Sequence, residues 1–267
     1  MPKVKVCVLR SAGTNCDQET AFAFSKVDAE AQLVHINHLV SRRKNLGDYQ
    51  ILAIPGGFTY GDDLGAGKVF ANELKFKLED ALRAFLAAGK LVIGICNGFQ
   101  ILVKNGLLPG GKGFTQEASL IINDSGKFED RWVYLRNSKF KIQNSKNKCV
   151  WTEDLAEVIY LPVAHGEGKF IVKDNSVLEN LKKNNQIVFQ YCGEDGRFAG
   201  YPHNPNGSLE HIAGICDETG RILGLMPHPE RHIEFTQHPR WGAMKKKNEG
   251  DGLQIFRNGV GYAKKYL

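Results

Sequence analysis

The stretch Leu91-Val-Ile-Gly-Ile-Cys96-Asn-Gly-Phe-Gln100-Ile-Leu-Val103 leaves this chain few ways to fold. It opens as a short apolar run rich in β-branched residues, the pattern of a strand buried on both faces. Residues Gly98 to Asn105 read as a helix closed by Gly106, just past its last turn. Cys96 sits at the changeover, between Gly94 and Gly98. The resulting G-x-C-x-G is the nucleophile-elbow pattern with cysteine in place of serine. So sharp a strand-to-helix turn needs neighbouring backbone to come close, which the flanking glycines permit.

The elbow carries chemistry. It points the Cys96 side chain above the sheet, beside a helix N-terminus whose free N–H groups and dipole favour a thiolate. The N–H of Asn97 then faces an oxygen on any carbon the sulfur attacks, which makes half an oxyanion hole. The competing reading is that Cys96 is a small buried apolar residue, as free cysteines often are. Catalysis requires a base and a second oxyanion donor from elsewhere in the chain.

Upstream, Val4 to Leu9 is a buried first strand. A helix is expected from about Gln18 to Val27 with Asp17 as N-cap, then a strand from Ala31 to Asn37. Ile51–Ile54 is a third strand. It ends in the glycine-rich loop Pro55-Gly-Gly-Phe-Thr-Tyr-Gly-Asp-Asp63, whose backbone can approach a ligand closely. The spacing predicts a helix over Val69–Ala88, with apolar residues at 70, 74, 78, 82, 85 and 86. Strand, helix, strand, helix at this spacing gives an α/β fold, a doubly wound, mostly parallel sheet. Ligands in such sheets bind at the carboxyl ends of the strands, where the Pro55 loop and Cys96 both fall.

Beyond Phe114 short strands are expected at 117–122, 131–135, 158–162, 170–172, 187–191, 212–216 and 222–226, with a tight turn at Asp217–Gly220. These would add antiparallel strands to the same sheet, giving a single domain over residues 1–267. Residues 137–148 are strongly polar and read as an exposed loop or hairpin tip. Residues 251–266 read as a closing helix.

Composition excludes several classes. The longest apolar stretches are strand-sized, so no membrane span is expected. The N-terminus enters a strand directly and shows no secretory signal. Six cysteines are scattered without a C-x-x-C pair, which suggests free thiols in a reducing cytoplasm rather than disulfides or a zinc site. The net charge of +6 is mild, and the lysine runs at 245–247 and 264–265 read as solvated surface, so no nucleic-acid partner is needed.

The last strand runs into Pro227-His228-Pro229-Glu230-Arg231, again at a carboxyl end. A histidine there can take the thiol proton. In extended chain residues two apart face one side, so Glu230 can reach the other ring nitrogen and fix the tautomer. Pro229 restricts His228 to extended conformations. That is the nucleophile, base and orienter logic of a triad. His165, between Ala164 and Gly166-Glu-Gly168, competes for the role; His203, His211, His232 and His238 have weaker context. A metal reading would join His228, Glu230 and His232, but no helix or further ligand supports it, and no metal is expected.

Five segments together carry a resemblance: Ile54-Pro-Gly-Gly-Phe-Thr-Tyr-Gly-Asp62, Gly94-Ile-Cys-Asn-Gly-Phe-Gln-Ile-Leu102, Ala164-His-Gly-Glu-Gly168, Asn204-Pro-Asn-Gly-Ser208 and Met226-Pro-His-Pro-Glu-Arg231. In this order they resemble class I glutamine amidotransferases, and among them the glutaminase subunits of phosphoribosylformylglycinamidine synthases of purine biosynthesis. The resemblance implies that Cys96 attacks the glutamine side-chain amide, giving a thioester and ammonia. It implies that His228 is base and then acid, and that Glu230 orients it. The backbone N–H of Asn97 and of Gly57 or Phe58 would form the oxyanion hole. Gln100 and the His165–Gly166 backbone would hold the substrate glutamine.

The resemblance also implies that ammonia passes to a synthetase subunit that binds ATP, Mg2+ and formylglycinamide ribonucleotide, with a small accessory protein as a further candidate partner. The chain shows no P-loop or nucleotide fingerprint of its own, so no cofactor is expected on it. The mobile peptide planes of the Pro55–Asp63 loop suggest an oxyanion hole that a docked partner completes, with Tyr60–Gly65 in the contact. The segments Phe114–Lys127, Asn137–Leu155 and Glu234–Glu249 lengthen this chain relative to compact subunits of that kind. Two other readings remain at this point: a cysteine hydrolase or redox sensor on a similar sheet, and a non-catalytic regulatory module.

Overall fold

The structure is a computed structural model that describes residues 2–110, 114–138, 149–244 and 246–267. Most of the polar loop expected at 137–148 therefore lies outside the described residues.

The chain runs β1 (Val4–Arg10), α1 (Asp17–Lys26), β2 (Ala29–His35), α2 (Ile36–Val40), β3 (Ile51–Ile54), α3 (Lys68–Ala87), β4 (Leu91–Ile95) and α4 (Asn97–Lys104). It continues through β5 (Ala118–Ile121), β6 (Glu129–Asn137), β7 (Val158–His165), β8 (Lys169–Val172), α5 (Asn175–Lys183), β9 (Ile187–Cys192), β10 (Ile212–Cys216), β11 (Ile222–Leu225) and α6 (Leu253–Tyr266). Among the described residues nine strands form one sheet in the order β2-β1-β3-β4-β11-β10-β9-β6-β7. The pairs from β2 to β11 are parallel, and those from β11 to β7 are antiparallel.

The decisive pairing is β4 with β11. Ile222 lies beside Val92 and Leu225 beside Ile95, so the two strands end together. The N–H of Cys96 donates to the Leu225 carbonyl at 2.8 Å. Two segments far apart in sequence thus deliver their following residues to one place at the carboxyl edge. Every residue of β3, β4 and β11 is buried, which explains their unbroken apolar sequence. Helix α3 covers the sheet with Phe70, Leu74, Leu78, Leu82 and Phe85, as its periodicity predicts, while Leu86 is only partly buried.

Three expectations need correction. Asp17 is the first residue of α1 rather than its cap; its carboxylate pairs with Arg10 Nε at 3.2 Å. Strands β5 and β8 do not join the main sheet but form a separate antiparallel pair. Helix α5 was not foreseen. Asp174 caps it, accepting from the N–H groups of Ser176 and Val177, and only Val177, Leu178 and Leu181 bury, which is too short a stripe to stand out among lysines and asparagines. The turn at Asp217–Gly220 is as expected: the Asp217 carboxylate accepts from the N–H groups of Thr219, Arg221 and Ile222 at 3.1, 2.9 and 2.8 Å. Among the described residues no helix is long and apolar enough to cross a membrane.

Candidate active site

Cys96 occupies the elbow between β4 and α4 with φ 52° and ψ −106°. A positive φ on a non-glycine residue costs energy and persists only where the surroundings impose it. Here they do: a Cβ on Gly94 would meet Leu102 Cδ1 at 2.5 Å and the Gly98 carbonyl oxygen at 2.6 Å. The Cys96 sulfur is nearly enclosed and lies 3.7 Å from the Ala164 carbonyl. It sits at the N-terminus of α4, where the N–H of Asn97 is in the first turn and has no acceptor within its own helix.

His228 follows β11. Its backbone N–H donates to the Pro162 carbonyl at 2.8 Å, anchoring the turn to β7. Its ring Nδ1 lies 2.6 Å from Glu230 Oε1, and both side chains are buried. Nδ1–H therefore points at the carboxylate, leaving Nε2 for the sulfur side; among the described residues Nε2 has no well-formed hydrogen bond. Burial disfavours charge on this ring, yet the Glu230 carboxylate, aided by Cys96 and Cys16, holds its pKa well above the ordinary histidine value. The ring can thus hold the positive charge that a cysteine nucleophile needs beside it.

The competing histidines that can be placed hold structural positions instead. The ring of His165 is buried, with Nδ1 3.1 Å from Asn123 Oδ1. Burial, with nearby His228 adding to it, pushes its pKa down to about 3, so the ring is neutral and holds structure. His232 Nδ1 contacts the Tyr160 carbonyl at 2.7 Å, and its ring meets Trp132 edge to face. His211 stacks on Phe198. A trio that the metal reading did not contain does form: Cys16, His228 and Glu230 bring one ligand atom each within 4.8 Å of one another. Arg231 Nη2 donates to the Cys16 sulfur at 3.1 Å, so a cation already occupies that side.

Of the predicted substrate contacts, Gln100 is tied into the frame by its side-chain amide. Its Oε1 accepts from Asn97 Nδ2 at 2.9 Å and its Nε2 donates to the Glu167 carbonyl at 2.6 Å. Asn97 Oδ1 accepts from the Thr59 hydroxyl at 2.7 Å, and its Nδ2 also reaches Asp62 Oδ1 at 3.2 Å. One chain of amides therefore ties the Pro55–Asp63 loop, the elbow helix and the Ala164–Gly168 loop together.

Asn123, which sequence reasoning missed, organises that last loop. Its Nδ2 donates to the His165 carbonyl, its backbone N–H to the Gly166 carbonyl, and its Oδ1 accepts from the Gly168 N–H. Asn206 and the Ser208 hydroxyl both donate to the Gly168 carbonyl. With these carbonyls held from behind, the His165–Gly166 backbone forms one wall near Cys96.

The second oxyanion donor is not in place at Phe58. Its N–H donates to the Gly13 carbonyl at 2.9 Å, which turns it to the β1 loop. Gly57, at φ 149°, bridges to Thr14. Tyr60, Gly61 and Asp62 all have positive φ, a strained run in which two residues are not glycine.

Comparison with known proteins gives the family. A family model described as a CobB/CobQ-like glutamine amidotransferase domain matches residues 3–263. The chain is 50% identical over 265 residues to the phosphoribosylformylglycinamidine synthase subunit PurQ of Dehalococcoides mccartyi, covering 99% of each chain. It is 44% identical to the subunit PurQ of Methanococcus maripaludis, covering 98% of each. Among solved structures it is similar to a chain of PurLQS from Thermotoga maritima, with TM-score 0.72 and 31% identity over 98% of this chain and 99% of that one. Another glutamine amidotransferase of Thermotoga maritima, at 16% identity and TM-score 0.52 over 90% of this chain and 81% of that one, shares the fold. The chain belongs to the family of phosphoribosylformylglycinamidine synthase subunits PurQ, a family of glutamine amidotransferases.

Proposed function

We propose that this chain is one glutamine amidotransferase domain over residues 1–267 and the glutaminase component of phosphoribosylformylglycinamidine synthase, working in the cytoplasm. The observation that carries the reading is the buried His228–Glu230 pair, 2.6 Å apart, set by the β4–β11 pairing beside the Cys96 elbow.

In the first half-reaction the Cys96 thiolate attacks the side-chain amide carbon of glutamine. The oxygen of the tetrahedral intermediate takes its charge beside the Asn97 N–H and one N–H of the Gly57–Phe58 peptides. His228 gives its proton to the departing nitrogen, and ammonia leaves behind a thioester. In the second, His228 takes a proton from water, the resulting hydroxide attacks the thioester, and glutamate departs as Cys96 is restored. Glu230 keeps the ring in one tautomer and offsets its charge throughout. The main chain at His165 and Gly166 holds the amino-acid end of the substrate, and Gln100 supports this wall through Glu167.

Ammonia then goes to an ATP- and Mg2+-dependent synthetase subunit that aminates formylglycinamide ribonucleotide, with a small accessory protein in the complex. This chain needs no cofactor. Phe58, Leu64 and Phe128 are exposed apolar residues, and the first and last rings lie 6.2 Å apart. Phe58 and Leu64 belong to the active-site loop region, which makes this a docking rim for the synthetase. Ammonia release from glutamine, assayed with and without the synthetase subunit, tests the reading: no release in the complete complex overturns it.

A further inference from the structure

Cys16 lies 80 residues before the nucleophile, yet it meets the same imidazole. A Cβ added to Gly56 would lie 2.8 Å from His228 Cε1, 3.1 Å from Cys16 Sγ and 3.4 Å from Cys96 Cβ. The two cysteines, the ring and the Gly56 backbone therefore close around one small volume. Cys16 is 1% exposed and its sulfur is fixed from two sides: the thiol donates to Asn15 Oδ1 at 3.1 Å, and Arg231 Nη2 donates to the sulfur at 3.1 Å. Arg231 follows Glu230 directly and also grips Glu19 Oε2 through Nε at 3.1 Å. The backbone N–H groups of Asn15 and Cys16 donate to the Gly56 carbonyl at 3.4 and 3.2 Å. The start of α1 thus holds the histidine turn and the oxyanion loop in a fixed relation.

We infer that Cys16 is a positioning residue: its anchored sulfur walls the His228 ring so that Nε2 is presented to Cys96. The inference rests on the glutaminase reading of this site. The titratable groups around His228 are Glu230 from its own turn, Cys16 from the start of α1, Cys96 from the elbow and His165 from the end of β7, with the Arg231 guanidinium on the Cys16 sulfur. Removing Cys16 takes away a sulfur that lies within 4.8 Å of a ring nitrogen and favours the charged ring. The imidazolium is then lost at lower pH.

The test uses the complete complex with Cys16→Ala and Cys16→Ser. Serine can still donate to Asn15 and accept from Arg231, whereas alanine can do neither. For alanine we expect kcat lower by about tenfold, KM unchanged, and the basic limb of the kcat/KM profile moved to lower pH. Serine should restore kcat to within about threefold and return the limb. Arg231→Lys, which keeps charge for Glu19 while losing the planar fork, should move the limb the same way, and it serves if alanine prevents folding. The rate at which iodoacetamide alkylates Cys96 at neutral pH, located by mass spectrometry, should fall in alanine and recover in serine. Wild-type kcat, limb and alkylation rate in Cys16→Ala would overturn the inference, as would equal impairment of both variants with the limb unmoved. Absence of glutamine turnover in the wild-type complex would instead refute the glutaminase reading, and the alkylation rates would still decide the role of Cys16.

Discussion

A Cβ on Gly98 would stand 1.9 Å from the carbonyl oxygen of Ile54. The first turn of α4 therefore rests directly on the backbone at the end of β3. This contact sets how far the nucleophile elbow stands from the Pro55 loop that must supply the second oxyanion donor. No side chain fits, and no rotamer change relieves the clash, since the obstructing atom belongs to the main chain.

Gly98→Ala is accordingly expected to cost about 3 kcal/mol or more in stability and to abolish glutamine hydrolysis in whatever fraction folds. Denaturant unfolding and a glutaminase assay check both. A stable, active alanine variant would mean that the elbow has room the distances deny.

Cys96→Ser should reduce glutamine-dependent synthesis by at least about a thousandfold while leaving synthesis from added ammonium salts near wild type. The thiolate serves only to liberate ammonia, and the ligase chemistry lies on the partner. Parallel loss of both activities would refute that division of labour.

His228→Ala should cost about a hundredfold more in the rate of thioester formation than Glu230→Gln. In the proposed mechanism the ring moves protons in both half-reactions, whereas the carboxylate 2.6 Å away orients and charges it. Single-turnover measurement separates the two. A mild His228→Ala beside a severe His165→Ala would reassign the base.

The Phe58 N–H is bonded to Gly13 in the chain alone. Losing one oxyanion donor costs about a hundredfold or more in rate. The isolated chain should therefore be slower than the complex by about that factor, with the synthetase, its nucleotide and its acyl substrate restoring the rate. Full activity in the isolated chain would show that Gly57 and Asn97 suffice as they stand.

His165 gives a stability signature. Its ordinary value of 6.5 falls to about 3 in the folded chain, chiefly through burial. Between those values the unfolded chain binds a proton that the folded chain refuses, so stability contributed by the neutral ring falls as pH drops through that window. His165→Gln should flatten the dependence of the unfolding midpoint on pH between about 6.5 and 3. An unchanged slope would mean that other groups dominate acid unfolding.

The parallel half of the fold was legible because β3 and β4 are unbroken apolar runs and α3 has a clean apolar stripe. Cys96, His228 and Glu230 were legible for a related reason: each follows a strand whose end can be read from sequence. Cys16 and Asn123 were not, since nothing local marks an asparagine or cysteine that acts through a carbonyl or sulfur brought in by another segment. The direction in which the Phe58 N–H points was not legible, because the orientation of a single peptide plane depends on the neighbouring β1 loop, which its own residues do not encode.

The insertion of β11 between β4 and β10 also bears on how the site comes into being. Nucleophile and base are separated by about 130 residues, a long-range closure of the kind that forms late in folding. Until the histidine turn docks, the cysteine has neither its proton acceptor nor the imidazolium that stabilises a thiolate. A growing or partly folded chain therefore carries an ordinary thiol with no assembled site around it, and the arrangement that can turn over glutamine appears only when the tertiary structure is complete.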